Sequence, residues 1–301
     1  MTTTRSTSTA LHIDRSVCGT VITDDADAMI SAYCEWLDMR VVCDVPLPVS
    51  LADAWEKPTL SGLRMVVLGA DLEDASTHWI RVIEVPGIAK PAPMRQRGWL
   101  ALEVLVHDVY ALGEKLANSP FTVLGEPRPL AVSDAIVAMQ VAGPAGETLY
   151  LTEVRAPVLP FRLPMPATHT AERLFIPVLS CPERDTSLPF YESLNGNTGL
   201  RFETRVSALN LALGLDPEKQ RPVGTLQLAG ESLIEIDQVP EHGPTNVVLA
   251  GLPAGLAMVS FSASRTLPLP TGVRWHRATE GGSVLALFQG PSGEWIELQA
   301  D

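Results

Sequence analysis

The 301-residue chain is short of positive charge, of aromatic rings and of long apolar runs. Lysine and arginine number 22 against 35 aspartates and glutamates, a formal net charge of −13. A surface of that sign repels phosphate and anionic lipid at long range, so neither nucleic acid nor membrane is expected as a partner. No apolar stretch reaches the roughly 18 residues that a membrane helix needs. The opening residues MTTTRSTSTA contain no apolar h-region; no secretory signal is expected, and residues 1–11 read as a polar, disordered tail. Cysteine is scarce too. Cys18, Cys34, Cys43 and Cys181 show no CxxC pair and no metal-ligand spacing, so four reduced thiols in a cytoplasmic protein are the expected state.

Turn formers are abundant, with 22 glycines and 25 prolines, which favours many short strands over long helices. The length predicts about two domains, each able to bury its own core. One phrase occurs twice. Residues 143–151 read GPAGETLYL and residues 290–298 read GPSGEWIEL. In each, a Gly-Pro turn hands over to an alternating apolar strand, and its recurrence late in each half predicts a duplicated unit.

Hydrophobic periodicity divides the chain into four blocks. In the first, a strand over 16–24 is followed by an amphipathic helix over 26–39, capped by Asp24 or Asp25. Strands over 40–47, 63–70 and 78–86 complete it. The β-α-β-β-β order returns with strands 99–108, 121–130, 135–143 and 147–154 around a helix at 109–118. The third block has strands 174–181, 199–209, 224–230 and 232–240, with a helix at 185–194. The fourth has strands 256–264, 272–279, 283–290 and 294–301. Its helix position reads RTLPLPT, which no regular helix accommodates. The expected division is a tail at 1–11, a first domain at 12–156 (modules 12–87 and 98–156), a Pro-rich linker at 157–171, and a second domain at 172–301 (modules 172–241 and 254–301).

Four such blocks, with the two GPxGExxxL phrases, EVLVHDVYALGEKL and PVLSCPERDTSLPFYESL, resemble the vicinal oxygen chelate superfamily. That superfamily includes glyoxalase I, bleomycin-resistance proteins, methylmalonyl-CoA epimerase and extradiol dioxygenases. The resemblance covers roughly residues 12–301. It implies an α+β fold of two paired-βαβββ domains, modules pairing one with two and three with four, each pair an incomplete barrel around a cleft. It also implies up to two metal ligands per module, a His or Gln on the first strand and a Glu on the last. The first-strand positions fall near Val17, Ala101, Ile176 and Met258, where a one-residue shift gives Cys18, Leu102, Pro177 or Ala257. The last-strand positions are Arg81, Tyr150, Glu235 and Glu297. The imidazoles are missing, so no cofactor is expected, and a divalent metal, if bound, would have Glu235 and Glu297.

On that pairing Glu235 and Glu297 face each other across one cleft as an acid/base pair, with His276 as a second base. The other cleft gathers Glu103 as base, Arg81 as a clamp for a carboxylate or phenolate, and Tyr150, Thr152 and Gln140 as polar contacts. Trp295 is an aromatic surface for a flat ligand. The expected function is a metal-independent isomerase, epimerase or lyase acting on a small oxygenated, aromatic or carbonyl metabolite, as monomer or homodimer. Two alternatives stand beside it: a sequestering protein of bleomycin-resistance type, and an extradiol-type dioxygenase with unconventional metal ligands. Structural readings compete as well. Glu103 and Arg81 could be an ion pair in a filled barrel, the Glu pair an inert relic, and Cys18 a small buried apolar residue.

Overall fold

The computed structural model describes residues 11–130, 133–277 and 283–300; the expected tail thus lies almost wholly outside the described residues. Module one comprises β1 (Ile13–Thr23), α1 (Ala26–Trp36), β2 (Arg40–Pro46), α2 (Val49–Ala54), β3 (Arg64–Gly69) and β4 (Ile80–Glu84). Module two comprises β5 (Gly98–Val106), α3 (Val109–Leu116), β6 (Thr122–Leu130), β7 (Ser133–Ala142) and β8 (Thr148–Val154). Module three has β9 (Ala171–Cys181), α4 (Arg184–Asn195), β10 (Leu200–Arg205), α5 (Ser207–Ala212), β11 (Gln220–Gln227) and β12 (Leu233–Gln238). A small hairpin of β13 (Val247–Leu249) and β14 (Leu252–Pro253) precedes module four, which holds β15 (Gly255–Ala263), β16 (His276–Arg277), β17 (Val284–Gln289) and β18 (Trp295–Ala300).

Local chemistry sets the helix starts. Asp25 accepts from the Ala28 N–H at 2.8 Å, and Asp108 accepts from the Tyr110 and Ala111 N–H groups at 3.1 and 3.0 Å, each satisfying donors that an open helix end leaves bare. Residues 264–275 of module four carry no helix. Two helices appear where the periodicity gave none or gave strand. One is α2. The other is α5, where the expected strand over 199–209 stops at Arg205. The expected strand over 272–279 shortens to His276–Arg277, and its last two positions lie outside the described residues.

Two eight-stranded sheets result, ordered β16-β17-β18-β15-β1-β4-β3-β2 and β10-β11-β12-β9-β5-β8-β7-β6. Module one therefore pairs with module four, and module two with module three, through antiparallel first strands. This corrects the expected one-two and three-four pairing. The reason lies in how consecutive modules dock. Tyr33 on α1 donates to Glu147 Oε1 of module two at 2.7 Å, and Tyr191 on α4 donates to Glu294 Oε1 of module four at 2.6 Å. Module one thus meets module two, and module three meets module four, through a helix and the Gly-Pro turn, which leaves the first-strand edges to pair one with four and two with three.

The repeated phrase is that docking device. Glu147 and Glu294 also accept from backbone N–H groups within their own turns, Ala145 and Ser292. A Cβ on Gly143 or Gly290 would sit 1.7 or 2.1 Å from the carboxylate, so only glycine admits the folded-back side chain. The largest apolar core lies where α1, α3 and α4 pack on the sheets. The opposite sheet faces enclose the two clefts.

Candidate functional site

The cleft of modules one and four is full. Arg81 on β4 donates to Glu297 Oε2 on β18 at 2.8 Å and to Thr20 Oγ1 at 2.9 Å. Trp55, just past α2, donates to Glu297 Oε1 at 2.7 Å, and Ser260 donates to the other oxygen. The Arg81 guanidinium stacks 4.6 Å from the Trp55 ring. Glu297 is fully buried. Burial raises its pKa, but the Arg81 charge and these donors together hold it below the usual carboxylate range. Around this knot a continuous apolar cluster including Trp55, Met65, Ala257 and Met258 fills the space. Cys18, also buried here, has its thiol pushed up to about 12 by desolvation, so it is no nucleophile near neutral pH.

The cleft of modules two and three is open, with a cavity of about 170 Å³. Its apolar lining is split into two clusters, one with Tyr150, Val206 and Ala208, the other with Phe175, Ile176 and Leu233. Between them the strands present polar groups. Tyr150 on β8 stands beside Glu103 on β5, and Gln140 on β7 stands beside Tyr150. Glu235 on β12 stands beside Val178 of β9 and Thr225 of β11. Thr152 donates to Glu103 Oε1 at 2.7 Å. Two residues along β12, Asp237 shares the face of Glu235 and comes within hydrogen-bonding reach of its carboxyl group.

These carboxyl groups have no cation in ion-pairing contact among the described residues, unlike Glu297. Burial, reinforced by the charge of Glu235, raises the Glu103 pKa to about 8, and burial raises Glu235 to about 7. Asp237 is pushed well above the aspartate range by burial and then by Glu235. Like charges this close cannot all ionise, so the three titrate as a unit. Burial, then the surrounding carboxylates, also raise Tyr150 well above its ordinary value, which keeps its hydroxyl a donor. The Tyr150, Ser207 and Thr225 hydroxyls and Gln140 Oε1 are buried with no partner, and the buried Asp237 oxygens have none beyond the Glu235 carboxyl group. Buried polar groups are rarely left unsatisfied in native folds.

The expected site residues therefore regroup. Glu103, Tyr150, Thr152, Gln140 and Glu235 come together, whereas Arg81 and Glu297 form the ion pair of the other cleft. Glu235 and Glu297 do not face each other, because they lie in different sheets. His276 is on the edge strand β16, half-buried, with Nε2 3.2 Å from Glu56, and it shares no sheet with Glu235. The Trp295 ring is held by its N–H to Gly251 O at 2.8 Å and by Lys57 Nζ 3.6 Å from its centroid, and it is not among the residues lining the open cleft.

The residues standing beside the last-strand positions are Thr20, Glu103, Val178 and Ser260, two or three residues beyond the expected first-strand set. Bulges in the β1–β15 and β5–β9 ladders shift that register. In the open cleft, Glu103 and Glu235 supply two carboxylates and no imidazole. No group of three or more His, Cys, Asp or Glu among the described residues is arranged to hold a metal. The donor set does not fit the His/Gln-and-Glu ligation implied by the resemblance.

Asp237, Ser207 and Thr225 went unread in the sequence. The alternation LIEID placed Glu235 and Asp237 on one face, and SALNLALG, good helix formers ending in glycine, carried the signal for α5.

The architecture is the vicinal oxygen chelate fold, in a chain of two eight-stranded mixed sheets with few helices. Among solved structures, glyoxalase I from Zea mays is 19% identical, covering 95% of this chain and 92% of its own, with a TM-score of 0.60. A candidate dioxygenase from Bacillus subtilis is 11% identical over 97% of this chain and 86% of its own, with a TM-score of 0.64. No family model and no curated protein matches the chain. At such identities the likeness establishes the fold and leaves the chemistry to the site. No helix is long and apolar enough to cross a membrane among the described residues.

Proposed function

We propose that the chain is an enzyme of proton transfer, acting in the cleft of modules two and three on a small, mostly apolar carbonyl compound. The observation that carries this reading is a pair of carboxyl groups lining an open cleft, buried Glu103 and half-buried Glu235, with Asp237 fully buried beside Glu235 and no cation in ion-pairing contact among the described residues. Within such a set one carboxylate coexists with a protonated neighbour, and general acid/base catalysis favours groups whose pKa lies near the working pH. The ionised member takes the proton from the carbon next to the carbonyl. The Tyr150 hydroxyl, otherwise unpartnered, donates to the carbonyl oxygen and stabilises the enolate that forms. A protonated carboxyl then returns a proton to the same carbon, for epimerisation, or to its neighbour, for isomerisation. Thr152 holds one oxygen of Glu103 in place.

The test is exchange of substrate α-protons with D₂O, followed by proton NMR over a panel of aryl and alkyl ketones and aldehydes. The wild type exchanges at least one of them, and E103Q and E235Q lower that rate about 10²- to 10⁴-fold, the usual worth of general acid/base catalysis. Exchange that survives in both variants at the wild-type rate contradicts the reading. A second reading, ligand sequestration without chemistry, is favoured by the apolar walls at Phe161, Phe175 and Phe202. It predicts saturable binding with no exchange of any bound carbonyl compound.

A further inference from the structure

We infer that the open cleft selects an organic cation, a ligand whose amine or ammonium head meets Glu103 and Glu235 while its apolar body lies against Phe161, Phe175 and Phe202. The inference rests on the cleft of modules two and three being the ligand site, and it adds the charge of what enters.

Three observations converge on that charge. Two carboxyl groups line the cleft, Glu103 at 6% exposure and the half-buried Glu235, and no ion pair among the described residues takes up their charge. An anionic ligand would bring a further negative charge into a low-dielectric space, whereas a cation supplies the missing partner.

The unpartnered atoms are acceptor-rich. Gln140 Oε1 can only accept, and the hydroxyls of Tyr150, Ser207 and Thr225 can accept as well as donate. An ammonium group brings up to three donors and no acceptor, which matches such a set. Two donor-only atoms, Arg97 Nε and Arg221 Nη2, are also unpartnered, and neither residue lines the cavity. The Arg221 guanidinium gives its bonds to Asn210 at 2.6 Å and Glu241 at 3.0 Å, and its charge acts on Asp237 and not on the Glu103 and Glu235 that line the cavity.

The walls supply the third observation. Aromatic faces stabilise a cation through their quadrupole, most strongly where water is excluded, and Phe161, Phe175, Phe202 and Tyr150 all line this cavity. The guanidinium groups that also line it, Arg128 and Arg205, are exposed at its rim, and Arg205 is already paired with Glu218.

The experiment is isothermal titration of the full chain with three probes of matched shape, 2-phenylethylamine, 2-phenylethanol and 3-phenylpropanoate, in two buffers of different ionisation enthalpy. The amine is expected to bind at least tenfold tighter than the alcohol, with protons released to the buffer as a carboxyl ionises, and the carboxylate to bind weakest. The E103Q/E235Q double variant should lose at least tenfold for the amine and nothing for the alcohol. If that variant does not fold, the proton release by the wild type still decides the matter. Equal binding of amine and alcohol, tightest binding of the carboxylate, or binding of none of the three overturns the inference. Proton transfer is judged apart from this, by α-proton exchange: alcohol binding as tight as amine binding, with exchange still lost in E103Q, leaves proton transfer standing and removes the preference for a cation.

Discussion

Arg81 Nη2 lies 2.8 Å from Glu297 Oε2 in the cleft of modules one and four, and the equivalent strand position in the partner cleft, Glu235, has no such cation. This asymmetry separates a closed cleft from an open one. Both begin with the same strand order and the same repeat. In one, α2 brings Trp55 over the carboxylate. In the other, α5 lines the cavity with Ser207 and Ala208 and leaves it open.

Replacing Arg81 by methionine leaves Glu297 buried without its counter-charge. The expected loss is about 3–5 kcal/mol of stability, the usual cost of breaking a buried pair from one side. Urea unfolding measures it. Ligand binding in the other cleft should be unchanged, and a loss under 1 kcal/mol would mean that the pair is not the lock described.

Trp55→Ala should cost about 3–5 kcal/mol, the range for removing a large buried aromatic. It should also open a cavity beside Glu297, detectable as new xenon sites in a pressurised crystal. A stable variant with no new cavity would show that the surrounding cluster collapses into the gap.

The two Tyr–Glu contacts hold module one to module two and module three to module four, so Y33F and Y191F should each destabilise the chain by about 1.5–3 kcal/mol, the worth of a hydrogen bond to a charged group. Thermal unfolding gives the values. Effects confined to one of the two would break the symmetry inferred from the repeated phrase.

Stability should fall as pH rises from about 5 to about 8.5. Glu103 titrates at about 8 in the fold, and Glu235, Glu147 and Glu294 at about 7, raised in each case first by burial. Each folded pKa lies above the ordinary carboxylate value, so between the two the folded state binds more protons than the unfolded one, and deprotonation favours unfolding. Glu297, lowered instead, contributes stability that is lost only as the pH falls through its own folded pKa. Melting temperatures across this range test the slope, and E103Q should flatten its upper end.

Much of this was legible from residue pattern. The four strand sets, three of the helices, the missing fourth helix and the last-strand residues Arg81, Tyr150, Glu235 and Glu297 follow from periodicity and the repeat. Which modules pair was not legible, because four equivalent first strands offer four equivalent edges, and contacts between distant residues such as Tyr33–Glu147 and Tyr191–Glu294 set the arrangement. The first-strand positions were misplaced because bulges around Cys18 and Ala101 shift the register by amounts that alternation does not encode. Glu103, Tyr150, Thr152, Gln140 and Glu235 were recognised as polar residues at cleft positions. Their gathering into one cleft, with Arg81 excluded, depends on the pairing across the halves.

A crystallographic soak of the wild type with a set of small aryl ketones and aryl amines decides which cleft is the ligand site. Density is expected between β5 and β12, against Glu103, Tyr150 and Glu235, with the space around Trp55 and Glu297 unchanged. Ligands seated beside Arg81 and Glu297, with the cleft of modules two and three empty, would contradict the assignment of open and closed clefts.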